Sequence, residues 1–214
     1  MKSPALLLAA LATLTTAALA ENGAIGFARD PLGAPPESFT PMLTGPGQPG
    51  TWQVVADDDA KDGKGVEQSG ADPTDDRFPL LAWRVVVPAD VEVSTRIKPM
   101  SGRIDRAGGL AIRLLDQRNY YLVRANALEG NVRFYKVVDG RRIQLASADI
   151  PVKSGEWQEL RLRAEGTRFA VSFNARLLFD ASDTAIRGPG RVAFWTKADS
   201  VTRFDSLSIR PIQR

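Results

Sequence analysis

The sequence predicts an all-β protein: a two-sheet antiparallel sandwich of the jelly-roll type, with little or no helix outside the N-terminal leader. Three observations predict it. From about residue 80, runs of alternating apolar and polar residues recur at roughly ten-residue spacing between Gly, Asn, Asp and Pro signals. Asp139-Gly140 is a two-residue hairpin signal, and Phe173-Asn174-Ala175-Arg176 reads as a second tight turn. No segment after the leader keeps a 3.6-residue period over twelve or more residues.

The elements follow in chain order. Residues 1–20 carry one Lys, an apolar Leu/Ala/Thr run and a terminal Ala-Leu-Ala, the pattern of a signal peptide cleaved near Ala20. This predicts a periplasmic or secreted chain with no membrane span after cleavage. Residues 21–50 are rich in Gly and Pro and read as an extended arm. The remaining 51–214 form the sandwich domain. Its expected strands are Trp52–Val55, Leu80–Val86, Val91–Lys98, Gly109–Leu115, Tyr120–Asn126, Val132–Val138, Arg141–Ile150, Trp157–Ala164, Arg168–Phe173, Arg176–Asp180, Arg191–Trp195 and Thr202–Ile209. A chain of 214 residues is long enough for a full core without staples.

Composition restricts the chemistry. There is no Cys and no His, which removes thiolate nucleophiles, Cys-ligated metals, disulfides, Ser-His-Asp triads and zinc helices. The 28 basic and 25 acidic residues are interleaved, giving a net charge of +3 that argues against nucleic acid as a partner. No cofactor is indicated. Asp57-Asp58-Asp59 with Asp62 and Gly63 does not match an EF-hand. A solvated acidic loop is the expected reading, with an irregular structural calcium site as its alternative. Sandwich glycosidases use paired carboxylates, but no E-x-D-x-x-E strand is present, and Glu156 and Glu159 fall on opposite strand faces. Any catalysis would use carboxylates, and the weak candidates are Glu129 and Asp199.

The stretch 109–138 folds into three antiparallel strands with four-residue loops at 116–119 and 127–130. This register pairs residue 115 with 120 and 126 with 131. One face then carries Ile112, Leu114, Tyr121, Val123, Ala125, Val132 and Phe134 and belongs to the core. The other carries Arg113, Leu115, Tyr120, Leu122, Arg124, Asn126, Asn131, Arg133 and Tyr135. Arg124 falls opposite Arg133, a like-charge pair that calls for acids, an anion or a ligand. Arg and Asn hydrogen-bond polyols and anions, and Tyr rings stack on sugars. The predicted ligand-binding residues are therefore Arg113, Tyr120, Arg124, Asn126, Arg133 and Tyr135. In 191–200, Trp195 and Lys197 are expected on the same outward, ligand-facing side and join the predicted ligand-binding residues, with Glu129, Trp195, Lys197 and Asp199 at the rim.

Several strings carry a family resemblance. They are Asp105-Arg-Ala-Gly-Gly109, Asn119-Tyr-Tyr-Leu-Val-Arg-Ala-Asn126 with Glu129, a Gly-Glu-Trp157 strand start, and Phe194-Trp-Thr-Lys-Ala-Asp-Ser-Val-Thr202 followed by Phe204-Asp205. Over roughly residues 50–210 the chain resembles the concanavalin A-like lectin/glucanase superfamily. Within it, the strings resemble the secreted bacterial domains described as 3-keto-disaccharide hydrolase-like. The resemblance implies a jelly roll with a concave, carbohydrate-facing sheet. The three-strand register, with no His, no Cys and no acidic strand motif, puts a lectin-like binding module first. A hydrolase or lyase of oxidised (3-keto) disaccharides, and an interaction domain of a periplasmic assembly, are the alternatives.

Overall fold

The computed structural model describes residues 24–213, so the leader lies outside the described residues. They form fifteen strands in two antiparallel sheets and no helix. The N-terminal strands are β1 (Ala24–Ile25), β2 (Phe39–Thr44), β3 (Trp52–Ala56), β4 (Lys64–Gln68) and β5 (Phe78–Trp83). The middle of the chain gives β6 (Val91–Ser101), β7 (Ala107–Asp116), β8 (Asn119–Asn126), β9 (Asn131–Val138) and β10 (Arg141–Asp149). The last five are β11 (Gln158–Glu165), β12 (Arg168–Phe173), β13 (Arg176–Ser182), β14 (Arg191–Thr196) and β15 (Val201–Pro211). One sheet runs β13-β12-β11-β6-β15-β4-β3, with β1 added on β15. The other runs β10-β9-β8-β7-β14-β5-β2. All pairings are antiparallel, and many neighbours are distant in sequence, which is the jelly-roll sandwich that the alternation predicts.

Both predicted tight turns form. Asp139 and Gly140 sit at φ 50° and 81°, and Arg141 pairs with Val138. Asn174 and Ala175 sit at φ 47° and 61°, and Arg176 pairs with Phe173. Between the sheets, Phe27, Phe39, Phe194, Phe204 and Trp52 form one aromatic cluster, and Tyr121, Phe134 and Phe169 a second.

Two expectations need correction. Residues 24–50 are not a detached arm. Phe27 and Phe39 are buried in the main core, and β2 forms an edge of the seven-stranded sheet. Pro41 obscures that strand in the sequence, because proline cannot donate to a ladder. An edge position, paired only with β5, tolerates it.

The second correction is a bulge in β7. The β8–β9 register is as predicted, with Arg124 opposite Arg133 and Asn126 opposite Asn131. In β7, however, Ile112 pairs with Tyr121, and the next pair is Asp116 with Asn119. Between them Arg113 adopts φ 48°, a left-handed conformation that reverses the side-chain alternation. Arg113 and Leu114 therefore exchange faces relative to expectation. Gly190 permits this. A Cβ there would lie 2.5 Å from the Arg113 carbonyl carbon, so only glycine lets the next strand approach the bulge.

Candidate functional site

The face of the seven-stranded sheet turned away from the main core is strongly curled. The Thr44 Oγ1 and Tyr120 hydroxyl oxygens are 3.0 Å apart, although three strands separate β2 from β8. A flat sheet would hold those backbones about 19 Å apart. The Arg142 guanidinium of β10 likewise lies 4.7 Å from the ring centre of Phe78 on β5, at the far side of the same sheet. The curl makes this face concave, and a second apolar cluster, buried from solvent, fills the concavity. Leu80, Ala111, Leu114, Tyr120, Leu122, Val137 and Trp195 all belong to it, and Trp195 stacks on Phe78 with ring centres 5.4 Å apart.

At one end of this groove the floor becomes polar. Arg124 on β8 donates Nη1 to Asn131 Oδ1 at 2.8 Å and Nη2 to Glu129 Oε2 at 2.9 Å. Arg133 Nη1 reaches the same Glu129 oxygen at 3.1 Å, and Asn131 Nδ2 donates to it at 3.2 Å. Glu129 thus resolves the predicted Arg124–Arg133 repulsion. These donors converge on Oε2, while the side chain keeps 38% of its surface exposed. Burial alone raises the Glu129 pKa. The charge and hydrogen bond of Arg124, with Asn131 and Arg133, outweigh it and hold the carboxyl below its ordinary value. A carboxylate so held is an acceptor and a poor proton donor near neutrality.

The network continues toward β14. Lys197 Nζ donates to Asp75 Oδ1 at 2.5 Å and lies 3.2 Å from Asp105 Oδ2. Burial lowers the Lys197 pKa, but the two carboxylates outweigh it and raise it. Asp105 is almost fully buried, and burial pushes its carboxyl up against the pull of Lys197 and Arg124. Cations and anions therefore alternate along the groove end, from Arg133 through Glu129, Arg124, Asp105 and Lys197 to Asp75. Such an array offers both donors and acceptors to ligand hydroxyls.

Surrounding loops hold the array in place. Asp199 accepts the backbone N–H groups of Arg103, Ile104 and Asp105 at 2.7–3.1 Å, and so fixes the loop that carries Asp105. Burial raises the Asp199 carboxyl, but these backbone donors leave it lowered. Arg77 is fully buried and donates to the carbonyls of Gln48, Pro49, Gly70 and Ala198, clamping the loops beside Lys197.

The predicted site residues are divided by this geometry. Arg124, Arg133, Glu129 and Lys197 come together at the partly open end. Tyr135 lies beside them, its hydroxyl 3.3 Å from Arg124 Nη2. Trp195 is on the predicted side but lies buried in the groove floor. Tyr120 is also buried there, with its hydroxyl pushed up to about 12, chiefly by burial. Asn126 is fully buried and braces the turn, donating to Asp105 and accepting from the N–H groups of Leu128 and Glu129. Arg113 leaves the face altogether. The bulge sends it to the carbonyls of Ala89, Gly166 and Ile186 and within 3.7 Å of Asp90. In the acidic loop, Asp57 turns to Lys98 and Arg203 on the other sheet's outward face.

The sequence reading missed Asp75, Asp105 and Arg142 as site residues. Arg142 was within reach. A two-residue Asp139-Gly140 turn pairs 142 with 137, which puts Arg142 on the face of Val137 and Tyr135.

No family model matches the chain. Over 94 residues it is 33% identical to a protein named levanase from Bacillus subtilis (strain 168), a stretch that is 44% of this chain and 14% of the levanase. The chain thus spans a small part of the relative it matches. Among solved structures, it is similar to the carbohydrate-binding module CBM66 from Bacillus subtilis. The TM-score is 0.63 and the identity 22%, covering 81% of this chain and 95% of that one. It is also similar to domain 4 of an extracellular arabinanase from Geobacillus stearothermophilus, solved with arabinotriose. Here the TM-score is 0.57 and the identity 14%, covering 88% and 90% of the two chains. A Bacillus subtilis protein described as having a galectin-like fold aligns with a TM-score of 0.58 at 11% identity, over 81% of this chain and 90% of that one. The fold is that of these sandwiches, the jelly-roll architecture that the sequence resemblance implied.

Proposed function

We propose that this chain is a carbohydrate-binding module and that its contact region is the polar end of the curled groove. The observation that carries the reading is the Arg133–Glu129–Arg124–Asn131 cluster. It is a partly exposed knot of donors and acceptors at one end of a face whose packed centre is apolar. A sugar presents vicinal hydroxyls that both donate and accept. Glu129 can accept from one hydroxyl while Arg133 donates to its neighbour, and the buried Arg124 beneath holds Glu129 in place. The shared fold with a carbohydrate-binding module and the partial match to a levanase support the same reading. The leader pattern at 1–20 supports delivery to the periplasm or the exterior, where such glycans are met.

A glycan array followed by calorimetry tests this. Wild-type protein is expected to bind at least one glycan, and Arg124→Met, which keeps the side-chain stem, is expected to weaken that binding by about tenfold or more. Absence of binding across neutral, uronic and sulfated glycans contradicts the reading. N-terminal sequencing of exported protein tests the leader, with a start at Glu21 expected.

A further inference from the structure

Arg142 is a groove cation with no carboxylate in contact: its charge acts on Asp75, but Lys197 holds that carboxylate. Among the described residues it makes no hydrogen bond and no ion pair, and its Nη1 is buried without a partner. Instead its guanidinium lies over three rings: Phe78 at 4.7 Å, Tyr135 at 4.8 Å and Trp195 at 6.0 Å from the ring centres. Ring faces attract a cation but accept none of its directed N–H bonds, so the cage fixes the group in place and leaves its donors unspent.

Other donors around the same face are in the same state. The Nε atoms of Arg124 and Arg133 and the indole Nε1 of Trp195 are buried without a partner. The indole lies toward the Tyr120 hydroxyl, but no hydrogen bond of acceptable geometry forms between them. Arg142 is also continuous with the polar end of the groove. Tyr135 carries the Arg142 guanidinium at 4.8 Å and the Arg124 guanidinium at 5.9 Å from its ring centre. Every one of these unmet groups is a donor, and a guanidinium matches a planar or tetrahedral oxyanion with two parallel bonds. What Arg142 lacks in contact is an acceptor that carries negative charge.

We infer that the groove selects a glycan bearing an anionic group, a uronate carboxylate or a ring sulfate, which Arg142 holds while the Arg124–Glu129–Arg133 end takes the neighbouring hydroxyls. This rests on the carbohydrate-binding reading above and narrows its ligand class.

The test is calorimetry with matched probes: a short oligogalacturonide, its fully methyl-esterified form, and a sulfated oligosaccharide. Binding is expected for the uronate or the sulfated probe, and the ester is expected to bind about tenfold or more weakly than its parent acid if the uronate is the ligand. Arg142→Met, which keeps the apolar stem in the cage, is expected to lower affinity for the charged probe to that of a neutral one. If this variant does not fold, the acid–ester and sulfated–unsulfated comparisons on wild-type protein still decide. Binding of neutral glycans with no gain from charge and no effect of Arg142→Met overturns this inference and leaves the carbohydrate-binding reading standing. Absence of binding to every glycan, charged or neutral, overturns both.

Discussion

On the outward face of the eight-stranded sheet, Arg203 lies directly opposite Glu67, bonds to it at 2.8 Å and also reaches Asp57 at 2.9 Å. Lys98 shares Asp57, Arg96 pairs with Asp205, and Arg161 is held by both Glu92 and Glu159. On the curled face of the seven-stranded sheet the same residue types stand differently. Arg124 and Arg133 face each other across one Glu129, and Arg142 has rings where the other sheet has carboxylates. A near-neutral total charge hides this contrast. The first face satisfies itself, strand by strand, whereas the second keeps the half-buried Arg142 guanidinium without a hydrogen bond beside an apolar floor, and such a group is what a ligand can satisfy.

Breaking the comparison at its most buried point should have the largest effect. Arg77 has no exposed surface and satisfies four backbone carbonyls, so Arg77→Met is expected to cost about 3–5 kcal/mol in urea unfolding. A loss below about 1 kcal/mol would mean that water replaces the clamp.

A smaller effect is expected at Glu129. Its lowered folded pKa means that its contribution is present above the ordinary carboxylate value and lost as pH falls through the lower folded one. Asp105 has the opposite sign. Its raised pKa means that protonation relieves a buried charge, so stability does not fall as pH drops from neutral through that value. Urea midpoints measured from pH 7 down to pH 3 should therefore hold or rise before they decline. Glu129→Gln should cost about 1–2 kcal/mol at pH 7 and shrink the acid decline. An unchanged decline in the variant would assign it to other carboxylates.

The smallest effect is expected on the self-paired face. Arg163 is 44% exposed between Glu165 and Glu92, so Arg163→Ala should change stability by about 0–1 kcal/mol. It should leave glycan affinity untouched. Weakened glycan binding would place the ligand on the wrong sheet.

Much of the fold was legible because alternation and turn chemistry act locally. The β8–β9 register, both tight turns and the order of most strands follow from residues that are close in sequence. Three strands escaped: β1 has two residues and pairs only with the distant β15, and β2 and β4 contain Pro41 and Gly65, which weaken the alternation signal. The bulge at Arg113 escaped for a similar reason. It depends on Gly190 meeting its backbone from a strand about eighty residues later. For the site, the Arg124–Arg133 opposition and the nearby Glu129 were legible within one hairpin. The curl was not. It comes from the whole sheet, and it turns Tyr120 and Trp195 into buried floor while bringing Arg142 across to Phe78.

Chemical-shift mapping with a bound glycan tests the central claim most directly. The account predicts that amide shifts on titration concentrate at residues 124–135, with 105, 142 and 197, and leave 57–67, 157 and 203 unmoved. Shifts confined to the Glu67–Arg203 face, with none around Arg124, would contradict it.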